Sequence, residues 1–420
     1  MPAVAGAPRT TFSSLRHRNF RLFFIGQSIS NSGNWLTNVA LTLLVLKLTS
    51  TGVGVGFLAA CQFGPMLLLS AWGGALADRS DKRRMLLVTQ SLEMAQSISL
   101  AVLAFMPHPP LAWLYSLAGV GGVLLSLDNP LRRSFVTEMV PPEDIPNAVV
   151  LYSTIVNLSR IFGPSLAGLL VVTVGYGWCF TVDAASYIAV IACLVMMRPA
   201  ELNRHPAAVR ARGAVREGLR YVRSVPSLRI SFVMLAVVSM LAYNFNVTLP
   251  LFVTRGLRAG EGTFTMLYSV LSCGSVVGAL LVARRNLVSM RDIVRGVAFF
   301  GVALLVLAGV PGVRSAIPVA FLVGGTSVLY MTGTTTIVQM EARRDMHGRV
   351  LALQTVLLGG SAALGGPMLG WIADTIGARA LMVLGGVACL SAATFGAFAT
   401  RPAVMTNPSP RAGVWRSNCR

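Results

Sequence analysis

The 420-residue sequence contains few charged side chains. Asp, Glu, Lys and Arg make up 12% of it, against about 25% in soluble globular domains. Lysine is almost absent, because Lys47 and Lys82 are the only two. A water-soluble fold with so few charges would expose a large apolar surface, and the mean hydropathy is +0.68. Composition therefore argues against a soluble enzyme, a disordered chain and a secreted disulfide scaffold, and it favours a polytopic membrane protein.

Sequence patterns for catalytic and metal sites are also missing. The six cysteines are scattered without a Cys-x-x-Cys pair, and the four histidines fall in predicted loops. Neither a disulfide framework nor a metal site is predicted, and no cofactor is expected. An ATP-driven pump would need Gly-x-x-x-x-Gly-Lys-Ser/Thr, yet neither lysine follows a glycine, and HExxH is absent. The sequence therefore does not predict an enzyme.

Long apolar runs dominate the sequence instead. A helix that crosses a bilayer needs about 20 mostly apolar residues, and backbone polar groups in lipid must be satisfied internally. Twelve such runs are found, in two sets of six. They predict an all-α membrane protein with twelve transmembrane helices in two pseudo-symmetric six-helix halves. The predicted spans lie near 20–47, 52–77, 84–106, 111–130, 146–173, 177–197, 228–253, 262–283, 292–311, 315–339, 348–373 and 379–399.

The pattern of apolar runs divides the chain into five parts. The two six-helix halves are 20–197 and 228–399. A cytoplasmic N-terminal segment, 1–19, precedes them, and a tail, 400–420, follows and is predicted to be disordered. The linker 198–227 carries basic residues at helical spacing and is predicted to form an amphipathic helix on the inner membrane surface. These basic residues are Arg212, Arg216, Arg220 and Arg223.

The distribution of positive charge predicts the orientation in the membrane. With both termini in the cytoplasm, 29 of the 35 Lys and Arg residues fall on the inner side and five on the outer side, while Arg160 alone lies inside a span. Cytoplasmic loops are the ones enriched in Lys and Arg. The net charge of +20 is therefore interpreted as a topology signal, with anionic inner-leaflet lipids rather than nucleic acid as partner. A bacterial cell membrane is the predicted location.

The two halves share a weak internal repeat. Gly163-Pro164 precedes Gly366-Pro367 by 203 residues, and Glu138 aligns with Glu341 at the same offset. Duplicated halves are the design of many transporters, whose substrate site lies between the halves near the bilayer midplane.

The loop after the second span carries a recognisable motif, GALADRSDKRR at 74–84. It resembles the signature loop G-x-x-x-D-R-x-G-R-[RK] of the major facilitator superfamily, with Asp81 and Lys82 in place of the usual Gly and Arg. The resemblance implies a gate, in which Asp78 caps a neighbouring helix and Asp128 bridges to Arg79 or Arg83. The alternative is a plain basic loop. The predicted gating residues are Gly74, Asp78, Arg79, Lys82, Arg83 and Asp128.

A second motif lies in the fifth span, SRIFGPSLAG at 159–168. It resembles the G-x-x-x-G-P-x-x-G-G motif of the superfamily's antiporters, which implies a bent helix and export rather than uptake. The alternative is a packing kink without directional meaning. Residues 15–24, 138–141 and 182–187 further resemble the branch of the enterobactin exporter and the macrolide efflux proteins. The predicted bend residues are Gly163, Pro164, Gly168, Gly366 and Pro367.

Ionisable residues within the spans are functional candidates, because charge in the membrane is costly. Glu93 could face a cavity and carry a proton, or it could make a helix–helix hydrogen bond. Arg160 could hold an anionic substrate group, or it could pair with Glu93 or another carboxylate. Both are predicted proton-coupling candidates, whereas Asp183 is predicted to join helices.

Polar and aromatic residues in two spans are candidates for contact with substrate. The resemblance places Asn34, Trp35, Tyr243, Asn244 and Asn246 in lining positions, and interhelical hydrogen bonding is the alternative. The segment 370–374 repeats the Gly-x-x-x-Asp spacing of the signature loop but falls on the outer side. It is interpreted as a turn.

The predicted function is that of a secondary active transporter. It is proton-coupled efflux of a drug-like or siderophore-like small molecule by alternating access, from a protein that acts as a monomer. The alternatives are an uptake transporter of the same fold and a non-transporting membrane receptor or scaffold.

Overall fold

The computed structural model describes residues 12–203, 214–283, 289–343 and 346–400, and no strand is present among them. Short 3-10 turns and one π-helical turn, Phe252–Gly256, connect the α-helices. The α-helices of the described chain are α1 (Arg18–Thr49), α2 (Gly52–Arg79), α3 (Lys82–Ala104), α4 (Leu111–Val136), α5 (Ile145–Thr173), α6 (Tyr176–Val195), α7 (Ala214–Ser224), α8 (Pro226–Leu241), α9 (Phe245–Leu251), α10 (Glu261–Ala283), α11 (Met290–Gly309), α12 (Val313–Glu341), α13 (His347–Thr375) and α14 (Ala378–Ala399).

Eleven helical segments of the described chain are long and apolar enough to cross a membrane. They coincide with the second to twelfth predicted spans, and one of them, Pro226–Gly256, combines α8, α9 and the π-helical turn. The first predicted span coincides with α1, which is 32 residues long. It is not among the eleven, because Asn31, Asn34 and Asn38 lower its mean hydropathy. The described chain is thus an all-helical membrane fold.

The helices pack in two groups. Helices α1 to α6 form the N-terminal group, in which α1 lies on α5 and α6, and α2 on α4. Helices α8 to α14 form the C-terminal group, in which α10 lies on α12, and α11 on α14. Between the groups, α2 runs along α13 and α5 runs along α10. One large apolar core contains residues of both groups, so the interface between the groups is continuous with their interiors.

Two helices in corresponding positions begin after a left-handed glycine. Gly175 precedes α6 with φ +94° and Gly377 precedes α14 with φ +118°. A side chain is strained in this region of the Ramachandran plot, whereas glycine adopts it without a steric penalty. The matching turns support the internal repeat found in the sequence.

The fourth helix differs from its prediction. The predicted span ended at 130, but α4 continues to Val136 with Pro130 inside it. Arg132, which lies between the predicted spans 111–130 and 146–173, is therefore a helical residue that is only 4% exposed. The prediction that Arg160 is the sole cation within a span is wrong. An apolar run ends at a charge in the sequence, whereas the helix continues because buried carboxylates compensate that charge.

The described part of the linker contains the predicted amphipathic helix. In α7, Arg216, Arg220 and Arg223 are exposed, while Val222 is buried against Leu228 and neighbouring residues of the C-terminal group. The opposite faces of α7 are thus polar and apolar, as predicted for its basic spacing. Arg212, residues 1–11 and the tail 401–420 lie outside the described residues.

Candidate functional site

The two ends of the helix bundle are distinguished by the connections they carry. The described chain begins and ends at one end, called the termini side. The opposite end, called the far side, carries the connections between α1 and α2, α5 and α6, and α13 and α14.

A buried ion cluster joins α1, α3 and α4 in the N-terminal group. Arg132 pairs with Asp128 one helical turn earlier, and it donates hydrogen bonds to Glu93 Oε2 at 3.3 Å and Gln27 Oε1 at 2.8 Å. The Gln90 amide donates to both carboxylates, 2.9 Å from Glu93 Oε2 and 2.9 Å from Asp128 Oδ1. None of the three charged residues is more than 4% exposed. Two carboxylates thus share one guanidinium, so the ionised cluster carries one uncompensated negative charge.

Arg132 was missed as a site residue, although the sequence contains a signal for it. Asp128 and Arg132 are four residues apart, the spacing that lets side chains pair on one helix face. The predicted bridge from Asp128 to Arg79 or Arg83 is wrong, because Asp128 is engaged with Arg132 and with Thr89 Oγ1 at 3.0 Å. Local helical pairing therefore replaces the predicted contact with the loop.

Asp183 of α6 is a third buried carboxylate in this region. It accepts hydrogen bonds from Thr37 of α1 at 2.6 Å and Ser97 of α3 at 2.7 Å. Next to it, the Tyr187 hydroxyl donates to Asn34 Oδ1 at 2.9 Å. Asp183 joins three helices, in agreement with the packing role predicted for it.

A small polar cavity adjoins the ion cluster. Its volume is about 90 Å³, and Glu93, Asn34, Gln62, Gln96 and Tyr187 are among the residues that line it. A polar space of this size can hold water that hydrogen-bonds to its walls. Glu93 is therefore both part of the cluster and exposed to a space through which a proton could reach it.

Arg160 does not join the ion cluster. No carboxylate of the described chain forms an ion pair with it, so the predicted pairing with Glu93 is wrong. Its guanidinium carbon lies 5.8 Å from the centre of the Trp35 ring, and the Trp35 and Tyr268 ring centres are 6.0 Å apart. The Tyr268 hydroxyl donates to Asn246 Oδ1 at 3.1 Å. These side chains come from both helix groups, so Arg160 lies in an aromatic site at the interface between the groups.

The backbone of the C-terminal group is interrupted beside this aromatic site. Helices α8 and α9 are separated by residues 242–244, and the Asn244 amide donates to Met240 O at 2.8 Å, Ser239 O at 3.3 Å and Ser361 O at 3.5 Å. These bonds supply partners to backbone carbonyls near the break, as lipid requires. Gly365 of α13 packs against the break, because an added Cβ would lie 2.7 Å from the Asn244 amide nitrogen. Broken helices of this kind occur at transporter binding sites.

An aromatic cluster borders the break. The rings of Tyr243, Phe245 and Phe300 contact one another, with centres 5.5 to 6.4 Å apart. Of the five predicted substrate-contact residues, Trp35 and Asn246 thus belong to the interface between the groups, and Tyr243 lies in the aromatic cluster beside the break. Asn34 lines the small cavity, and Asn244 supports the break.

The signature loop makes its described contacts within the N-terminal group. Lys82 pairs with Glu138, and Arg83 donates to Leu194 O at 2.8 Å and Val195 O at 3.1 Å. Arg79 is exposed and Gly74 is buried. The backbone of Asp78 belongs to α2, but its side chain lies outside the described set, so its gating role stays a prediction.

The bend motif brings helices close together. An added Cβ at Gly163 would lie 2.2 Å from Trp35 Cβ, and one at Gly168 would lie 2.0 Å from Thr265 Oγ1 of the C-terminal group. Gly366 contacts the α2 backbone in the same way, 2.9 Å from Gly56 O. The prolines of the two repeats, Pro164 and Pro367, both lie inside helices. The motif therefore has a packing role, while its link to export stays a prediction.

A carboxylate joins the two groups at the far side. Asp374 accepts hydrogen bonds from the backbone N–H groups of Gly52 at 2.6 Å and Val53 at 2.9 Å, the first residues of α2. Arg255 donates to Asp374 at 2.5 Å and also to Ser50 O. The interpretation of 370–374 as a turn is wrong, because these residues form the end of α13. A carboxylate at a helix N-terminus is favoured by the helix dipole.

Two further hydrogen bonds join the groups along α5, α6 and α10. The Tyr176 hydroxyl pairs with Glu261 at the far side, and the hydroxyl oxygens of Ser165 and Ser269 are 2.6 Å apart. On the termini side, Lys82 pairs with Glu138 inside one group. The hydrogen bonds that link the groups across the described chain thus lie in the far-side half of the bundle, which holds the far side closed.

A family model described as the transmembrane secretion effector matches residues 9–416. The chain belongs to this family of major facilitator superfamily transporters. It is accordingly a multi-pass membrane transporter and not an enzyme.

Known relatives in this superfamily are of moderate similarity. The chain is 26% identical to the multidrug efflux pump Tap of Mycolicibacterium fortuitum, over 84% of this chain and 88% of Tap. It is 24% identical to the enterobactin exporter EntS of Salmonella typhimurium, over 84% and 85% of the two chains. It is also 24% identical to the staphyloferrin A transporter of Staphylococcus aureus, over 67% and 73%.

Solved structures match the fold. A bacterial homolog of the human lysosomal transporter Spinster, in an inward-facing and occupied conformation, has a TM-score of 0.73 and 14% identity. It covers 96% of this chain and 100% of its own. A POT family transporter in complex with 5-aminolevulinic acid has a TM-score of 0.74 and 12% identity, over 91% and 97%. Both show that the fold is that of this superfamily.

Proposed function

We propose that the protein exports a small organic molecule from the cytoplasm by alternating access, in exchange for protons. In this proposal α1 is a twelfth membrane span, and the spans form two six-helix halves that rock about the aromatic site. The efflux relatives Tap and EntS support the direction. Drug-like and siderophore-like molecules are the proposed substrates, and the protein acts as a monomer.

The observation that carries the proton coupling is the charge balance of the buried cluster. Glu93 and Asp128 share the single positive charge of Arg132, and a net charge in a low-dielectric interior is unfavourable. Binding of one proton to the pair neutralises the cluster. Glu93 is the proposed acceptor, because its contact with Arg132 is 3.3 Å long and because it lines the polar cavity.

The coupling needs a difference between the conformational states. A proton can shift the equilibrium between two conformations only if it binds one of them more strongly. The cluster joins α1, α3 and α4, and α1 also carries Trp35 of the aromatic site. Protonation of Glu93 weakens the attraction between α3 and α4, and α1 conveys this change to the interface between the groups.

The proposed orientation follows from the basic residues of the termini side. Arg216, Arg220 and Arg223 of α7 are exposed, and cytoplasmic segments are enriched in arginine. We therefore assign the termini side to the cytoplasm of a bacterium, with anionic inner-leaflet lipids as partners of these arginines. The closed far side then faces outward.

Flux measurements test the proposal. Cells with and without the protein are first compared for accumulation of a panel of drugs and siderophores, with the proton gradient collapsed as a control. A compound that is exported is then loaded into proteoliposomes, and its efflux is followed with and without an imposed pH gradient. Efflux that accelerates with the gradient is expected, whereas gradient-driven uptake would reverse the direction, and no flux of any compound would reject a transporter.

The variant Glu93→Gln tests the proposed proton acceptor. It should retain substrate binding and exchange of labelled for unlabelled substrate, but lose the acceleration by the pH gradient. Glu143→Gln is a matched control, because Glu143 is an exposed carboxylate on the termini side. Gradient-driven efflux at the wild-type rate in Glu93→Gln would reject the assignment.

A further inference from the structure

Among the described residues, the charged side chain of Arg160 lies in the aromatic site at the interface between the helix groups. In the C-terminal group, the acidic residues of the described chain lie at helix ends: Glu261, Asp292, Glu341 and Asp374. The buried carboxylates of the N-terminal group are held by Arg132, by Lys82 or by hydroxyl groups. The described chain therefore supplies no negative charge to compensate Arg160.

An uncompensated guanidinium matters when the site closes. Arginine stays protonated in proteins, and Arg160 is exposed in this conformation, where water can solvate it. During alternating access both sides of the site are closed in turn, which removes part of this water. Removing water from an unpaired charge is strongly unfavourable. A negatively charged group on the cargo would supply the missing partner.

The aromatic side chains around Arg160 add a second requirement. The Trp35 ring centre lies 5.8 Å from the Arg160 guanidinium carbon, and Tyr268 lies next to Trp35. A guanidinium beside an indole ring at this distance keeps N–H groups available for a carboxylate. The aromatic faces offer contact to a planar apolar group. The site thus combines one anion contact with an aromatic wall.

We propose that the cargo is an organic anion that carries a carboxylate and an aromatic ring, with the carboxylate on Arg160 and the ring against Trp35 and Tyr268. This inference deepens the proposed export function and rests on it for the identity of the site as a cargo site. Neutral and cationic molecules of the same shape lack the partner for Arg160 and are disfavoured.

Equilibrium binding to the purified full-length protein in detergent tests the charge requirement. The probes are 1-naphthoate, 1-naphthalenemethanol and 1-naphthylmethylamine, which share one ring system and differ in charge. A hydrogen-bonded charge pair predicts binding of naphthoate that is about tenfold to a hundredfold tighter than that of the alcohol. Weaker binding of the amine than of the alcohol is expected as well.

Variants then assign the preference to Arg160. Arg160→Gln should abolish the advantage of naphthoate, so that naphthoate and the alcohol bind with similar affinity, and an unchanged thermal midpoint shows that the variant is folded. Arg160→Lys should keep part of the advantage, because the charge remains and the planar fork is lost. Arg314→Gln, an exposed arginine at the start of α12 on the far side, should behave as the wild type.

The outcomes separate this inference from the export function. Equal binding of the three probes to the wild type, or an anion preference that survives in Arg160→Gln, would overturn the inference even if gradient-driven efflux were present. Conversely, an anion preference that depends on Arg160 supports an aromatic carboxylate site at Arg160 even where no gradient-driven flux is found, because binding at equilibrium needs no gradient. In that case only the proposed export function fails.

Discussion

Replacement of Asp374 by alanine should open the far side of the bundle. Asp374 accepts hydrogen bonds from Gly52 N and Val53 N at the start of α2 and from Arg255. Loss of a helix cap costs about 0.5–2 kcal/mol, and a partly exposed ion pair adds at most about 1 kcal/mol. The carboxylate and Arg255 are 24% and 30% exposed, so water replaces part of these contacts. We take about 2 kcal/mol as the net loss.

This loss corresponds to about a 30-fold shift in the ratio of the far-side-closed to the far-side-open conformation, at about 1.4 kcal/mol per factor of ten. The sign follows from the contact itself, because it exists only while α2 and α13 meet at the far side. Asp374→Asn keeps an acceptor oxygen and should give a smaller shift in the same direction.

A disulfide cross-link reports the population of the closed form. The Ser165 and Ser269 hydroxyl oxygens are 2.6 Å apart across the two groups. In a background without the six native cysteines, Ser165→Cys with Ser269→Cys should cross-link rapidly under mild oxidant. Adding Asp374→Ala should slow the cross-linking strongly. Asp292→Ala is the matched control, since Asp292 caps α11 inside one group. An unchanged cross-linking rate with Asp374→Ala would refute the reasoning.

Three further predictions follow from buried contacts. Arg132→Gln leaves two carboxylates uncompensated and should lower the free energy of unfolding by about 3–5 kcal/mol. This loss should appear as a lower thermal midpoint in detergent, and an unchanged midpoint would contradict the prediction. Gly56→Ala would place a Cβ 2.2 Å from Gly366 O, so it should slow the cross-linking of the Ser165→Cys and Ser269→Cys pair. Gly64→Ala, on the same helix with open space around it, should leave the rate unchanged. Equal cross-linking rates in the two variants would contradict this prediction. Asn244→Ala removes the donor to backbone carbonyls at the broken helix and should lower the free energy of unfolding by about 1–3 kcal/mol. A lower thermal midpoint in detergent is the expected result, and a wild-type midpoint would contradict it.

The positions of the helices are easier to predict from the sequence than the contacts between charged side chains. The Gly-x-x-x-Asp spacing at 370–374 was visible in the sequence, but its partner, the start of α2, is 322 residues away from Asp374. Arg132 falls between two predicted spans because charge ends an apolar run, although Glu93 and Asp128 make its burial possible. The start of α2 and Glu93 lie on other helices than Asp374 and Arg132, at sequence separations that periodicity does not encode.

The residues of the candidate site likewise divide into those that the sequence identifies and those that only the tertiary structure identifies. Arg160 is recognisable in the sequence as a charge within an apolar run, because charge is rare in lipid. The resemblance to the superfamily places Trp35, Tyr243 and Asn246 in lining positions. Tyr268 was not singled out, since one tyrosine in an apolar helix carries no distinguishing pattern. Only the packing of α1 and α5 against α10 brings Tyr268 next to Trp35.

The sequence by itself determined where the membrane helices lie. Lipid offers no partner for the backbone, so each span must satisfy its own hydrogen bonds, and its apolar run is written locally in the chain. Tertiary structure alone decided which charges are compensated and which side of the bundle is closed. Those properties depend on distances between helices, as in the contacts of Arg132 with Glu93 and of Asp374 with α2.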